Sequence, residues 1–335
     1  MKILVTGAAG FIGFHTAAAL LTAGHDVVGA DDFNAYYDVG LKRARVAEIA
    51  GQPKFRMFEL DLSDRAGTAA LFAEERFDRV VHLAAQAGVR YSIDHPHAYT
   101  GANVTGFLNV LEGCRQTHVK HCVFASSSSV YGANSTLPFR VEDNVDHPLS
   151  LYAATKKANE LMAHSYAHLF RVPLTGLRFF TVYGPWGRPD MAVYKFTERI
   201  LKGEPIDVYN QGHHARDFTY IDDVVKGILR TLDRIASPDP AWNGAHPSPA
   251  TSAAPYRLYN IGNANPTELM TLIACIERAT GREAIKRYLP MQPGDVPATA
   301  ADVTALAAAV GFAPSTPIET GIERFVEWYR GYHKV

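Results

Sequence analysis

Ile3-Leu4-Val5, a short apolar run of strand character, is followed at once by Gly7-Ala8-Ala9-Gly10-Phe11-Ile12-Gly13 and then by a helical pattern from Phe14 to Ala23. A strand that turns through spaced glycines into a helix leaves few folds open. In this arrangement Gly7 permits the tight turn, Gly10 lets backbone amides approach a pyrophosphate, and Gly13 lets the helix pack closely on the strand. Glycines also serve turns for steric reasons alone. It is the strand before and the helix after that give the cofactor reading its weight. Gly24 then stops the helix.

The alternation continues. Strand-like runs at Asp26–Ala30, Lys54–Leu60, Arg79–Ala85, His121–Ala125 and Leu174–Phe180 are interleaved with helical patterns at Asp64–Glu75, Tyr99–Arg115 and Leu151–Phe170. Such a rhythm predicts an α/β fold with a parallel sheet covered on both faces, and the continuous apolar character of the runs fits buried strands. After Phe180 the rhythm breaks. Tyr183–Asp190 is rich in Gly and Pro and reads as a loop. Helices are expected near Asp222–Asp233, Thr267–Thr280 and Ile318–Tyr329, and Ser237–Pro255 reads as an exposed loop. The expected organisation is a nucleotide-binding domain over 1–181, with returning segments near 222–234 and 257–262. A smaller α/β lobe over 182–221 and 263–335 completes it, with 237–255 exposed. Ligands in such sheets bind at the carboxyl ends of the strands.

Charge and cysteine content narrow the function classes. A net charge of −1 over 335 residues excludes recognition of nucleic acid or anionic membrane by bulk charge. Cys114, Cys122 and Cys275 are too scattered for a disulfide framework or a structural zinc site. The close pairs His95/His97 and His213/His214 lack metal-site spacing, so no metal is expected. No apolar run is long enough to span a bilayer, and the first residues lack the pattern of a signal peptide. A cytoplasmic location is expected.

Chemistry-bearing residues fall at the strand ends. Asp31 and Asp32 close the second strand. A carboxylate there accepts from an adenosine ribose and repels a 2′-phosphate, which favours NAD over NADP. Asp61-Leu62 follows the third strand, where Asp61 either contacts the adenine or simply starts a helix. Tyr152 and Lys156 are four apart on a helix and share a face. A nearby ammonium lowers a phenol's pKa toward working pH. Tyr and Lys at this spacing also commonly share a solvated face. Upstream, Ser126-Ser127-Ser128-Ser129-Val130-Tyr131-Gly132 leaves the end of the fifth strand.

Taken together, the glycine loop, the serine run and Tyr152/Lys156 resemble the extended short-chain dehydrogenase/reductase family of nucleotide-sugar enzymes. Three longer segments resemble its UDP-glucuronate 4-epimerases: His82–Ser92 (HLAAQAGVRYS), Arg178–Met191 (RFFTVYGPWGRPDM) and Met291–Pro297 (MQPGDVP). The resemblance covers nearly the whole chain and implies a Rossmann-type doubly wound parallel sheet. It implies Tyr152 as base, Lys156 as its electrostatic partner and ribose ligand, and Ser127 as the hydroxyl that polarises the reacting oxygen. Cofactor contacts are implied for Gly7, Gly10, Phe11, Ile12, Gly13, Asp31, Asp32, Asn34, Asp61, Leu62, Leu83, Ala84, Ala85, Gln86, Asn103, Ser126, Tyr152, Lys156 and Phe179. Arg216 matches a diphosphate arginine, and Asp295 a carboxylate that holds uridine ribose hydroxyls. Tyr209 and Gln211 match the nucleotide pocket. Arg90, Ser128, Thr181 and Arg188 are candidate donors to a sugar carboxylate, with Ser127 and Tyr152 also facing the sugar. Two positions depart from the pattern: many relatives carry threonine at Ser127 and asparagine at Asp32.

The activity this resemblance implies is reversible 4-epimerisation of UDP-glucuronate to UDP-galacturonate through a 4-keto sugar, with NAD bound throughout. Two rivals share the framework, a 4-epimerase of neutral UDP-hexoses and a UDP-glucuronate decarboxylase. Related decarboxylases carry glutamate where this chain has Ser129, which argues against the second. A catalytically silent NAD-binding protein is a third reading, disfavoured by the intact Ser127/Tyr152/Lys156 set. Helices Tyr99–Arg115 and Leu151–Phe170 match the pair that relatives use for a two-fold interface, so a homodimer is expected.

Overall fold

A computed structural model describes residues 1–292 and 295–335, so Pro293 and Gly294 of the last motif lie outside the described residues. The first half alternates β1 (Lys2–Thr6), α1 (Phe11–Thr22), β2 (Asp26–Asp31), α2 (Val39–Ala50), β3 (Phe55–Glu59), α3 (Arg65–Glu75) and β4 (Arg79–His82). Two short turns, α4 (Tyr91–Asp94) and α5 (Pro96–Tyr99), lead into α6 (Gly106–Gln116), β5 (His121–Ser127), α7 (Leu151–Phe170) and β6 (Leu174–Phe179). The rest comprises β7 (Thr181–Tyr183), α8 (Ala192–Lys202), β8 (Ile206–Val208), β9 (Ala215–Tyr220), α9 (Ile221–Asp233), β10 (Tyr256–Ile261), β11 (Pro266–Glu268), α10 (Leu269–Thr280), β12 (Lys286–Tyr288), α11 (Thr304–Val310) and α12 (Ile318–His333).

Seven strands pair in parallel in the order β10-β6-β5-β4-β1-β2-β3. The order reverses at β1, which places a crevice at the carboxyl ends of β1 and β4. Alternation along β1 builds a core on each face of the sheet. Ile3 and Val5 pack with α1 and α9 residues such as Leu20 and Ile228, whereas Leu4 packs with Val28, Val80 and Phe107 on the opposite face. A three-stranded sheet β11-β9-β7 and the pair β12-β8 lie beyond β6, with α8, α10 and α12 packed together around them.

Several element boundaries differ from the sequence reading, each for a local reason. The helix expected over Tyr99–Arg115 is interrupted by a π-helical turn at Thr100–Thr105. There Asn159 of α7 donates to the Asn103 carbonyl at 2.6 Å, taking an acceptor from the helix's own ladder. The strand expected to run to Ala85 stops at His82, because the Thr6 hydroxyl accepts from the Leu83 and Ala84 amides, both at 3.1 Å. β5 continues through Ser127, so Ser126 and Ser127 are strand residues rather than the start of a loop. Helix α2, whose weakly patterned sequence gave no signal, is capped by Asp38, whose side chain accepts from the Gly40 amide. The tail of the 237–255 segment is not exposed: Ala250, Ser252 and Ala254 are buried.

Candidate active site

Turn geometry shapes the floor of the site. Gly7 sits at φ +69°, and a Cβ there would come within 2.8–2.9 Å of the Leu83–Ala84 backbone. A Cβ on Gly13 would lie 2.0 Å from the Gly7 carbonyl oxygen. The loop thus closes around glycine, leaving the amides at the start of α1 open to the crevice. At the end of β2, buried Asp31 accepts from the Ala9 and Phe33 amides, at 3.1 and 2.9 Å. Burial pushes its carboxyl up, and the ammonium of Lys42, 3.9 Å away, works against that shift. Exposed Asp32 accepts from Asn34.

Above this floor lies a cavity of about 820 Å³. It is lined by the glycine loop, Asp31, Asp32, Asn34, Asp61, Leu62, the Leu83–Gln86 segment, Ser126, Ser127, Ser128, Tyr152, Lys156 and Phe179. Its other walls carry Arg90, Thr181, Arg188, Tyr209, Arg216 and Asp295.

Helix α7 is capped by the Ser150 hydroxyl, which accepts from the Ala153 amide at 3.1 Å. Tyr152 therefore lies in the first turn, where the partial positive charge of the helix end favours a phenolate. Burial raises its pKa; a contact to the Ser127 hydroxyl and the charge of Arg188 draw it back. Lys156, one turn on, is buried and donates to the Ala125 carbonyl at 3.0 Å. Burial alone lowers its pKa to about 8. The Ser127 oxygen accepts from the Ser129 amide at 3.1 Å, which leaves its proton available to the cavity. Ser126 is anchored on Glu160 at 2.6 Å, and Glu160 is paired with fully buried Arg178.

Two arginine groups stand at separate places in the cavity. Arg188 pairs with Asp190, and its charge is felt at Tyr152. Burial opposes both charges, but the pairing outweighs it, holding Asp190 below and Arg188 above their ordinary values. Arg90 instead joins Arg216 on opposite oxygens of Asp295, at 3.1 and 3.3 Å, and lies over the Tyr209 ring. Arg90 is therefore grouped with the residues read as nucleotide contacts, apart from the other carboxylate candidates. Arg216 does not pair with its neighbour Asp217, which is fully buried and accepts from the Asn263, Ala264 and Ala301 amides.

Two residues expected as contacts do not line the cavity. Gln211 is exposed, in a left-handed turn at φ +53°, and does not line the cavity. Asn103 does not line it either. Its side chain bonds the Gln86 amide and carbonyl and the Thr155 hydroxyl, so it braces the β4 loop against α7. Among the cavity residues that escaped the sequence reading are Tyr36, Tyr37, Lys42 and Asp190. Buried Arg45 also escaped it. It donates to the Ala9, Trp186 and Gly187 carbonyls, tying the glycine loop to the loop that bears Arg188. Of these five, only Asp190, two residues beyond Arg188, lies in a segment that the sequence marked.

A parallel sheet with a glycine turn at its switch point and a Ser/Tyr/Lys set at its carboxyl edge defines a dinucleotide-dependent enzyme of the short-chain dehydrogenase/reductase type. The chain belongs to the NAD dependent epimerase/dehydratase family, which matches residues 3–262. Among its relatives, it is 51% identical to a probable UDP-glucuronate 4-epimerase of Rhizobium meliloti, over 98% of this chain and 97% of that protein. It is 53% identical to Protein CapI of Staphylococcus aureus over the full length of both. Its fold is similar to that of UDP-glucuronic acid 4-epimerase from Bacillus cereus in complex with UDP-glucuronic acid and NAD. That likeness has a TM-score of 0.88 and 31% identity, and covers 99% of this chain and 100% of the other.

Proposed function

We infer that this chain is an NAD-dependent UDP-glucuronate 4-epimerase, interconverting UDP-glucuronate and UDP-galacturonate. The observation that carries the substrate assignment is Arg188. It is a guanidinium in the wall of the same cavity as Tyr152, close enough to act on that tyrosine, where a sugar carboxylate needs a donor. The names of the relatives point the same way.

The glycine loop and the Asp31 carboxylate fit a dinucleotide: a cradle that a Cβ would fill, and an acceptor for ribose hydroxyls. NAD, when bound, supplies the acceptor and donor of the C4 hydride. Tyr152 takes the proton of the C4 hydroxyl, Ser127 donates to the same oxygen, and Lys156 stabilises the phenolate and holds the nicotinamide ribose. Arg216, with Asp295 and Tyr209, holds the nucleotide half of the substrate, and Arg90 belongs with this group. The 4-keto sugar turns over in the cavity before its reduction on the other face. It is a β-keto acid, which loses carbon dioxide when its carboxylate bond aligns with the ketone. Arg188, assisted by Ser128 and Thr181, keeps that bond out of alignment. Ser129 lines the cavity where decarboxylases of this family carry glutamate, which favours the epimerase over the decarboxylase.

We divide the chain as the sequence suggested, the lobe beyond β6 serving the UDP-sugar. The exposed Leu108, Leu161, Leu169 and Phe170 of α6 and α7 support a two-fold homodimer through these helices. Among the described residues no helix is long and apolar enough to cross a membrane. A cytoplasmic location suits a nucleotide-sugar substrate. Incubation with UDP-glucuronate, followed by separation of the uronate epimers and a carbon dioxide assay, tests the assignment. Formation of UDP-galacturonate without gas supports it. Formation of a UDP-pentose with gas, or turnover of UDP-glucose alone, overturns it.

A further inference from the structure

Arg188 is held along one edge only. Its Nε donates to Asp190 Oδ1 at 2.9 Å and its NH2 group to Asp190 Oδ2, a side-on fork. The NH1 group has no partner among the described residues, so the end-on edge formed by NH1 and NH2 faces outward from the pair. Tyr36 closes the arrangement from a different part of the chain. Its hydroxyl donates to Asp190 Oδ2 at 3.0 Å, and its ring lies 5.9 Å from the Arg188 guanidinium carbon. Tyr36 is itself held in place by Tyr91, whose ring is tilted against its own with centroids 4.8 Å apart. Its hydroxyl occupies the space beside Gly88, where a Cβ would lie 2.4 Å away.

We propose that Asp190 and Tyr36 are positioning residues that clamp one edge of Arg188, present the other edge to the sugar carboxylate, and thereby set the ratio of epimerisation to carbon dioxide loss. The proposal rests on the role given to Arg188 above. Its logic is electrostatic as well as steric. Asp190 offsets part of the charge of Arg188 and sets a like charge near the incoming carboxylate, so it does not favour binding. What it contributes is a fixed guanidinium plane, and hence a fixed carboxylate plane. A tilted carboxylate lets the C5–C6 bond of the 4-keto sugar align with the ketone. That bond then breaks, its electron pair passing to the C4 oxygen as an enolate while carbon dioxide leaves. C5 takes a proton from water, and the hydride removed from C4 stays on the nicotinamide.

The test uses the wild-type holoenzyme, Asp190→Asn and Tyr36→Phe, with calorimetric titration of UDP and of UDP-glucuronate, product analysis, carbon dioxide release and nicotinamide absorbance. Asp190→Asn should bind UDP as the wild type does and UDP-glucuronate at least as tightly. Its epimerisation should fall by about ten- to a hundredfold, since small misplacements cost that much. It should release carbon dioxide in step with accumulating reduced nicotinamide, where the wild type releases none. Tyr36→Phe keeps the ring and loses only the hydroxyl, so it should shift the product ratio in the same direction by less. It carries the same readout if the Asn variant folds poorly. A loss of affinity with an unchanged product ratio, or wild-type turnover in both variants, overturns the proposal while leaving Arg188 in place. A wild type that leaves UDP-glucuronate unchanged overturns the substrate reading and this proposal with it.

Discussion

Replacing Lys156 with methionine should stabilise the nucleotide-free protein while abolishing its activity. Lys156 is buried and makes no ion pair among the described residues; its one hydrogen bond is to the Ala125 carbonyl. Burial moves its pKa from 10.5 to about 8. In the unfolded chain the ammonium keeps its ordinary affinity for a proton, so between these two values the unfolded state binds more protons and stability rises with pH. Below the folded value the ammonium is buried at full cost. A shift of about 2.5 units corresponds to about 3 kcal/mol. Losing the bond to Ala125 takes back about 1 kcal/mol. Methionine should therefore stabilise the fold by about 2 kcal/mol near neutral pH, and the gain should fade as pH rises from about 8 toward 10.5. Urea unfolding of both proteins, freed of nucleotide, at about pH 7 and about pH 9.5 measures this. A methionine variant that is less stable at neutral pH, or a difference independent of pH, would refute the description of Lys156 as a desolvated ammonium.

The remaining expectations divide the site into its parts. Tyr152→Phe removes the group proposed to take the C4 proton, so turnover should fall by about a hundred- to ten-thousandfold with UDP-sugar binding kept; near-normal turnover removes Tyr152 from the mechanism. Arg188→Ala should cost UDP-glucuronate about 1.5–3 kcal/mol of binding, roughly ten- to a hundredfold, and UDP-glucose little. Equal losses for the two sugars by calorimetry would move the carboxylate contact elsewhere. Asp31 and Asp32 should make NADP⁺ bind at least about tenfold more weakly than NAD⁺ to nucleotide-free protein, and equal titrations would count against that role. Leu161→Glu, on the exposed face of α7, should convert a dimer to a monomer by light scattering, whereas a wild type already monomeric at micromolar concentration contradicts the interface.

Much of this was legible in the sequence because it is local. The glycine turn, the strand that precedes it and the spacing of Tyr152 and Lys156 are set by residues within a turn or two of one another. The α7 helix runs from Leu151 to Phe170 as its pattern indicated. What escaped is what depends on residues far apart. Arg45 drew no notice in the sequence, yet it is fully buried because carbonyls from Ala9, Trp186 and Gly187 converge on it. Tyr36 meets Asp190 across 154 positions of sequence. The grouping of Arg90 with Arg216 arises from a shared carboxylate in a third segment. The π-helical turn at Thr100–Thr105 depends on Asn159 reaching across from α7, and no periodicity within residues 99–115 encodes it.

The most direct measurement follows UDP-glucuronate that carries deuterium at C4. If Tyr152 and its partners remove and return one hydride within a single closed cavity, the UDP-galacturonate formed keeps all of its deuterium at C4. No carbon dioxide should appear, and no label should cross to unlabelled UDP-glucuronate present in the same reaction. Loss of deuterium to water, transfer of label between sugars, or release of carbon dioxide with each turnover would contradict it.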